Sequence, residues 1–280
     1  MAEKHQRSVL ITGCSDGGLG AALAIAFHNA GLKVYATARN TLKTQGLQAA
    51  GITTLALDVL SDASIAACVA QIPSLDILVN NAGGMYSMPA SDISIPEAKK
   101  LFDLNVWSYI AVSQAFLPLL IKSKGVIVNQ TSVLSVFVTP FASAYNASKA
   151  AMAMISDTMR LELEPFGVRV VDLKTGIVTS NLFQNAGTAN EVKLPPGSIY
   201  APFKDIVEPK LAGEGIESEG MKTDDWARQV VQDLLKPKPK SWIWKGAKST
   251  AVWFSTFLPF GAMDGYVKKT SGLDKILARI

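Results

Sequence analysis

Residues 8–30 read SVLIT, then GCSDGGLG, then AALAIAFHNA, and this run decides the fold. Residues 8–12 form a short apolar segment that stops at a glycine, as a buried strand does. Residues 21–30 have the composition of a helix and are ended by Gly31. Between the two, Gly13, Gly17, Gly18 and Gly20 permit a tight turn and a close approach to the backbone. A helix starting there offers free N–H groups and a positive dipole end, which suits a pyrophosphate. A purely structural turn is the other reading, because many strand-to-helix turns are rich in glycine.

The alternation continues outward from this run. Strand signals fall at 33–38, 53–57, 75–79, 125–130 and 168–173, and helical signals at 61–71, 96–121 and 144–164. Ser61 is placed to cap its helix, Pro73 separates that helix from the next strand, and Pro165 ends the last one. The strands are continuous apolar runs, the mark of a parallel sheet covered on both faces. Repeated strand-then-helix steps predict an α/β fold with a doubly wound parallel sheet. A further helix is expected at 223–235 and a short strand at 241–244. No linker interrupts the series, so residues 1–280 read as one domain. Within it, 8–182 is the core, 183–222 is a Gly- and Pro-punctuated insert read as a substrate lid, and 236–280 is a tail.

Composition narrows the function. With 49% hydrophobic and 18% charged residues, the chain buries a large core, and disorder is excluded. A net charge of +4 is too balanced for a nucleic-acid binder. Two cysteines, Cys14 and Cys68, cannot build a disulfide scaffold and point to a reducing compartment. The polar start, residues 1–7, lacks the layout of a signal peptide, so a cytoplasmic location is expected. His5 and His28 have no ligand spacing for zinc and are too few to favour a Ser-His-Asp triad.

The second strand ends in Thr37-Ala38-Arg39-Asn40, without the acid that usually meets the ribose of NAD. Arg39 can instead fork onto a 2′-phosphate, which favours NADP(H); a solvated surface arginine is the plainer alternative. Tyr145 and Lys149 stand at i and i+4 on a helix, so an ammonium can sit near a phenol and lower its pKa. A phenol tuned in this way serves as general acid or base. Ser132 precedes it by thirteen positions, just past a strand whose carboxyl end lies on the ligand-binding edge. A Tyr-x-x-x-Lys pair alone is also common on exposed helices.

Five motifs in order carry a resemblance. The glycine loop, Asn80-Asn81-Ala82-Gly83, Asn105 in Leu104-Asn105-Val106, Ser132, and Tyr145-x-x-x-Lys149 resemble the short-chain dehydrogenase/reductase family over about residues 8–182. The resemblance implies a seven-stranded Rossmann-type domain that reduces a carbonyl or oxidises an alcohol, commonly as a homodimer or homotetramer. Tyr145 would protonate the carbonyl oxygen, and Ser132 would orient it. Lys149 would bind the nicotinamide ribose and depress the Tyr145 pKa, and Asn105 would hold a water in a proton relay behind Lys149. Gly13, Ser15, Gly18, Leu19 and Gly20 would cradle the pyrophosphate. Asp58 would contact the adenine, Asn81 would lie along the cofactor, and the segment 176–180, with Val178 and Ser180, would grip the carboxamide.

Two departures stand out. The family spacing Gly-x-x-x-Gly-x-Gly is here one residue longer, from Gly13 to Gly18 and Gly20, with Gly17 placed to absorb the insertion. The usual Pro-Gly after the sixth strand is Thr175-Gly176. Both departures resemble a fungal branch of the family, that of the NADPH-dependent 1-acyldihydroxyacetone-phosphate reductases and many reductases of secondary metabolism. Residues 194–201 (LPPGSIYA) and 241–246 (SWIWKG) carry further likeness to it.

Apolar residues surround the expected site: Val133, Leu134, Val136, Phe137, Val138 and Phe141, with Met85, Tyr86 and Met88. Such a lining suits a small apolar ketone or alcohol, lipid-type or polycyclic, although about half of these residues fit ordinary core packing equally well. In the tail, Lys236, Lys238, Lys240, Lys245 and Lys248 precede fifteen uncharged residues, 249–263. Fifteen is short of a bilayer span. The segment either lies in a membrane interface, at the endoplasmic reticulum or a lipid droplet, or packs over the cleft or a subunit interface. Activity therefore reads as NADP(H)-dependent ketone reduction; the alternative is an NADP(H)-binding protein of the same fold acting as an isomerase, a cyclase or a sensor.

Overall fold

Residues 6–179, 192–214 and 219–280 are described by the computed structural model. Seven strands form one sheet: β1 (Ser8–Ile11), β2 (Lys33–Ala38), β3 (Thr53–Ala56), β4 (Ile77–Asn80), β5 (Val126–Gln130), β6 (Arg169–Thr175) and β7 (Trp242–Lys245). Their order is β3-β2-β1-β4-β5-β6-β7, and every neighbouring pair is parallel. After β3 the chain crosses back to lay β4 on the other side of β1 (Val9 opposite Ile77, Val34 opposite Val9). That reversal opens a crevice at the carboxyl ends of the strands, where doubly wound sheets bind ligands.

Alternate side chains of the strands feed two cores. Val9, Ile11, Val34, Val79, Val128 and Leu173 pack on one face, against Leu23 and Phe27 of α1 (Leu19–Asn29) and Trp226 and Val230 of α8 (Thr223–Leu234). Leu10, Leu78, Ile127 and Val170 pack on the other, against Ile65 and Cys68 of α3 (Asp62–Val69) and Phe116 and Leu120 of α5 (Ser108–Ser123). Each such aliphatic side chain stabilises the fold by about 1.5–3 kcal/mol on burial. The strand expected at 75–79 lies at Ile77–Asn80, and β6 runs on to Thr175, two residues past the expected end. Ser61 caps α3 as expected, its hydroxyl accepting from the Ser64 N–H.

The expected helix at 96–121 is three segments. α4 (Ile95–Phe102) passes into a π-helical turn (Asp103–Trp107) and then α5. The whole of Ile95–Ser123 is long and apolar enough to cross a membrane, but it is packed on the sheet as a core element. α6 (Ser143–Leu163) follows β5, and a short α2 (Gln45–Ala49) after β2 has no counterpart in the sequence reading.

Part of the insert at 183–222 is helical: α7 (Lys204–Leu211) packs Val207 and Leu211 against Phe141. The tail folds as α9 (Ser249–Ser255), α10 (Asp264–Ser271) and α11 (Leu273–Leu277). Ile276 joins the Phe141 cluster, and Arg279 pairs with Asp205 of α7 at 2.9 Å. Gly272, Leu273, Ile276 and Arg279 thus pack on the insert. By contrast, Phe254, Phe257, Leu258 and Phe260 face solvent.

Candidate active site

The glycine loop joins β1 to α1 at the sheet reversal. Gly13 adopts φ +74°, and a Cβ there would also lie 2.8 Å from the Cα of Ala82. Gly17 adopts φ +75°, so the extra residue is taken up as a left-handed position that glycine alone adopts cheaply. Gly18 N donates back to Ser15 O at 3.0 Å and closes that turn. Gly20 is packed so tightly that a Cβ would lie 2.5 Å from Asn81 Nδ2. The N-terminus of α1 has no side-chain cap and no acid in its first turn. It therefore offers bare N–H donors and an unopposed positive dipole to an anion, which fits a dinucleotide pyrophosphate.

Arg39 is exposed at the carboxyl end of β2, and among the described residues its guanidinium has no hydrogen-bond or ion-pair partner. Asp58, past β3, accepts from the Leu60 N–H at 3.0 Å through Oδ1. Asn81 does more than border a cleft. Its Nδ2 donates to Thr12 O at 2.7 Å and Gly13 O at 3.1 Å, fastening the glycine loop to the end of β4. Thr12 Oγ1 receives the N–H groups of Asn81 and Ala82, each at 2.9 Å. Val178 is half-buried beyond β6 and pairs with Met221; Ser180 lies outside the described residues.

Ser132, Tyr145, Lys149 and Asn105 come together beside this crevice. α6 places Tyr145 and Lys149 one turn apart, both buried, with Lys149 Nζ 5.7 Å from the Tyr145 ring centre. Lys149 Nζ donates to Gln130 O at 2.9 Å, at the end of β5. The Ser132 hydroxyl lies near enough to the Tyr145 phenol to pull its pKa down. Asn105 sits in the π turn and is fully buried. Its Oδ1 accepts from Gly84 N at 2.9 Å, and its Nδ2 donates to Gly84 O at 3.0 Å and Ser148 Oγ at 3.1 Å. Its side chain therefore locks the loop after β4 onto α6. π turns recur at functional sites because they re-aim one residue of a helix.

Burial governs the ionisation of these groups. It pushes the Tyr145 phenol up to about 12, against the opposing pull of the Ser132 hydroxyl. It pushes Lys149 down to about 8, with the negative charge of Asp172 pulling the other way. The phenol thus stands above its ordinary value, where the sequence reading expected Lys149 to hold it below, and the pull downwards comes from Ser132.

The apolar wall is partly as expected. Met85, Tyr86 and Leu134 pack beside Tyr145, and Met88 and Phe141 pack under the insert with Tyr200 and Phe203. Val136 and Val138 face solvent. Sequence reasoning missed Asp172 and Lys174, both buried on β6, and Ser148, which joins Asn105 to α6. No spacing signal marks them, since their partners are remote in the chain.

Comparison with known proteins agrees with this geometry. The family model described as short chain dehydrogenase matches residues 7–191. A short-chain dehydrogenase/reductase of Pestalotiopsis microspora is 52% identical over 98% of this chain and 97% of its own. The NADPH-dependent 1-acyldihydroxyacetone phosphate reductase of Schizosaccharomyces pombe is 42% identical over 72% of this chain and 70% of its own. The crystal structure of a short-chain dehydrogenase from Streptomyces avermitilis superposes with a TM-score of 0.76 at 25% identity, covering 99% of this chain and 98% of that one.

Proposed function

The chain belongs to the short-chain dehydrogenase/reductase family, and from that premise we propose that it is an NADP(H)-dependent enzyme that reduces a ketone, or oxidises the matching secondary alcohol, on an apolar substrate. One observation carries the reading: a buried phenol, Tyr145, stands beside the Ser132 hydroxyl and is flanked by the Lys149 ammonium at the mouth of the dinucleotide crevice. Bound NADPH supplies the hydride to the carbonyl carbon. Tyr145 Oη would give its proton to the carbonyl oxygen and regain one from solvent, so that ketone, NADPH and one proton become alcohol and NADP⁺. The Ser132 O–H donates to the same oxygen and fixes its direction. The positive charge of Lys149 offsets the phenolate left on Tyr145.

Preference for NADP(H) rests on the free guanidinium of Arg39 and on the absence of an acid at the end of β2, and the NADPH named for the S. pombe relative supports it. Met85, Tyr86, Leu134 and Phe141 favour a lipid-type or polycyclic ketone over a sugar. Residues 192–214, packed on Phe141 and backed by α11, act in this reading as part of the substrate lid. Met154 and Leu161 on α6, and Ile95 and Trp107 on the α4–α5 helix, are exposed; in this reading they are the surface a second copy of the chain would cover.

The test is NADPH oxidation with a long-chain 2-alkanone, a decalone and an aryl ketone, with the alcohol quantified. One alcohol formed per NADPH consumed supports the reading. A product at the same redox level as its substrate would move the chain to non-redox chemistry on the same fold.

A further inference from the structure

We propose that Asp172 and Lys174 are positioning residues that hold the turn carrying Ser132 and so set the direction of its hydroxyl towards Tyr145. The inference rests on the reductase reading for its catalytic consequence, and on geometry for the positioning itself. Both side chains lie on one face of β6 and are almost fully buried, at 1% and 2% exposure. Lys174 Nζ donates to Asp172 Oδ2 at 2.6 Å. A buried ion pair is a poor source of stability, because removing two charges from water costs about as much as their attraction returns. What distinguishes this pair is where its remaining hydrogen bonds go.

Asp172 Oδ1 accepts a hydrogen bond from Thr131 Oγ1, the residue just before Ser132. Lys174 Nζ donates to Ser135 Oγ at 3.1 Å, three residues beyond Ser132. The pair therefore grips the turn Val133–Ser135 from both sides, and Thr131 N is also tied to Leu173 O at 3.0 Å. Inside the turn, Ser132 Oγ accepts the Leu134 N–H at 3.1 Å. A hydroxyl has one proton and two lone pairs, so filling a lone pair from behind leaves the O–H to donate forwards. The rings of Trp242 and Trp244 on β7 flank Lys174 Nζ at 5.1 and 5.6 Å and fix it from the third side. From α6, Lys149 and Asp157 are the charged groups that act on the pair.

The experiment is a double-mutant cycle on the full-length chain. Lys174→Met and Ser135→Ala are each combined with Ser132→Ala, and Asp172→Asn/Lys174→Met serves as the variant that folds without leaving a lone buried charge. Two quantities are read: kcat for NADPH-dependent reduction of the three ketones above, and the chemical shift of the Tyr145 Cζ in chain labelled with ¹³C-tyrosine, assigned by Tyr145→Phe. Positioning predicts that Lys174→Met lowers kcat roughly 10- to 100-fold with the NADPH KM little changed. It also predicts that both Lys174→Met and Ser132→Ala move the Cζ resonance, and that the second substitution adds nothing to the first. Independent, additive effects on kcat and shift, or a Cζ resonance unmoved by Lys174→Met, Ser135→Ala and the charge-free double variant, would overturn it. A coupled shift without turnover of any ketone would refute the reductase reading and leave the positioning intact.

Discussion

Burial sets the two ionisable side chains of the site against each other. Tyr145 keeps its proton up to about 12, while Lys149 keeps its charge only up to about 8. Ketone reduction needs both the phenolic proton and the ammonium. Its kcat should therefore be level at neutral pH and fall as pH rises through about 8, a decline read from a pH profile at saturating NADPH. A profile level to pH 10 would show that the ammonium is dispensable. Arg39→Asp should weaken NADPH roughly 10- to 100-fold, the worth of a charge-assisted hydrogen bond, and favour NADH. The ratio of kcat/KM values for the two cofactors measures this, and an unchanged ratio removes Arg39 from the site. Tyr145, Lys149 and Arg39 were legible in the sequence because helix spacing and strand ends are local facts. Asp172 and Lys174 were not, because Thr131 and Ser135 lie 41 and 39 residues away from them.

The β1–α1 junction turns one extra residue into a working loop. Gly17 takes up the insertion at φ +75°, and Gly20 lets α1 start against Asn81. Gly20→Ala would drive a methyl group into Asn81 Nδ2 and Gly13 O, both nearer than 3 Å, and push the helix terminus away. It should cost about 1–3 kcal/mol of stability and abolish tight NADPH binding, seen as a lower Tm that NADPH no longer raises. A variant that NADPH stabilises as well as the parent would show that the junction is not the dinucleotide seat. Strand positions were readable here because parallel strands are unbroken apolar runs. The π turn at Asp103–Trp107 was not, since hydrophobic spacing records a helix and not its local winding. The helix α7 was hidden in the insert for a related reason: it is short, carries Pro209, and owes its order to packing on Phe141.

The order of strands brings the described parts of the site to one edge, and the end of the tail packs on the insert beside it. Arg279 and Ile276 hold α7 in place, so Arg279→Glu should loosen the insert and raise the ketone KM several-fold, while NADPH affinity stays level. Equal changes in both constants would mean that α7 serves the cofactor instead. Phe254, Phe257 and Phe260 are exposed, and we propose that a membrane contact of the tail would run through them. Replacing the three phenylalanines by serine should abolish flotation with anionic vesicles; a parent chain that never floats refutes that role. The sequence left residues 249–263 with two readings; Leu273, Ile276 and Arg279 further on pack on the insert, while Phe254, Phe257 and Phe260 face solvent.

Deuterium transfer from [4,4-²H₂]NADPH to the carbonyl carbon, compared between the parent chain and Tyr145→Phe, puts the proposed chemistry to the most direct test. The parent should place one deuterium on the new alcohol carbon for each NADPH consumed. Tyr145→Phe should still bind NADPH, yet transfer it roughly 10²- to 10⁴-fold more slowly. Transfer by Tyr145→Phe at the parental rate would contradict the assignment of Tyr145 as the proton donor.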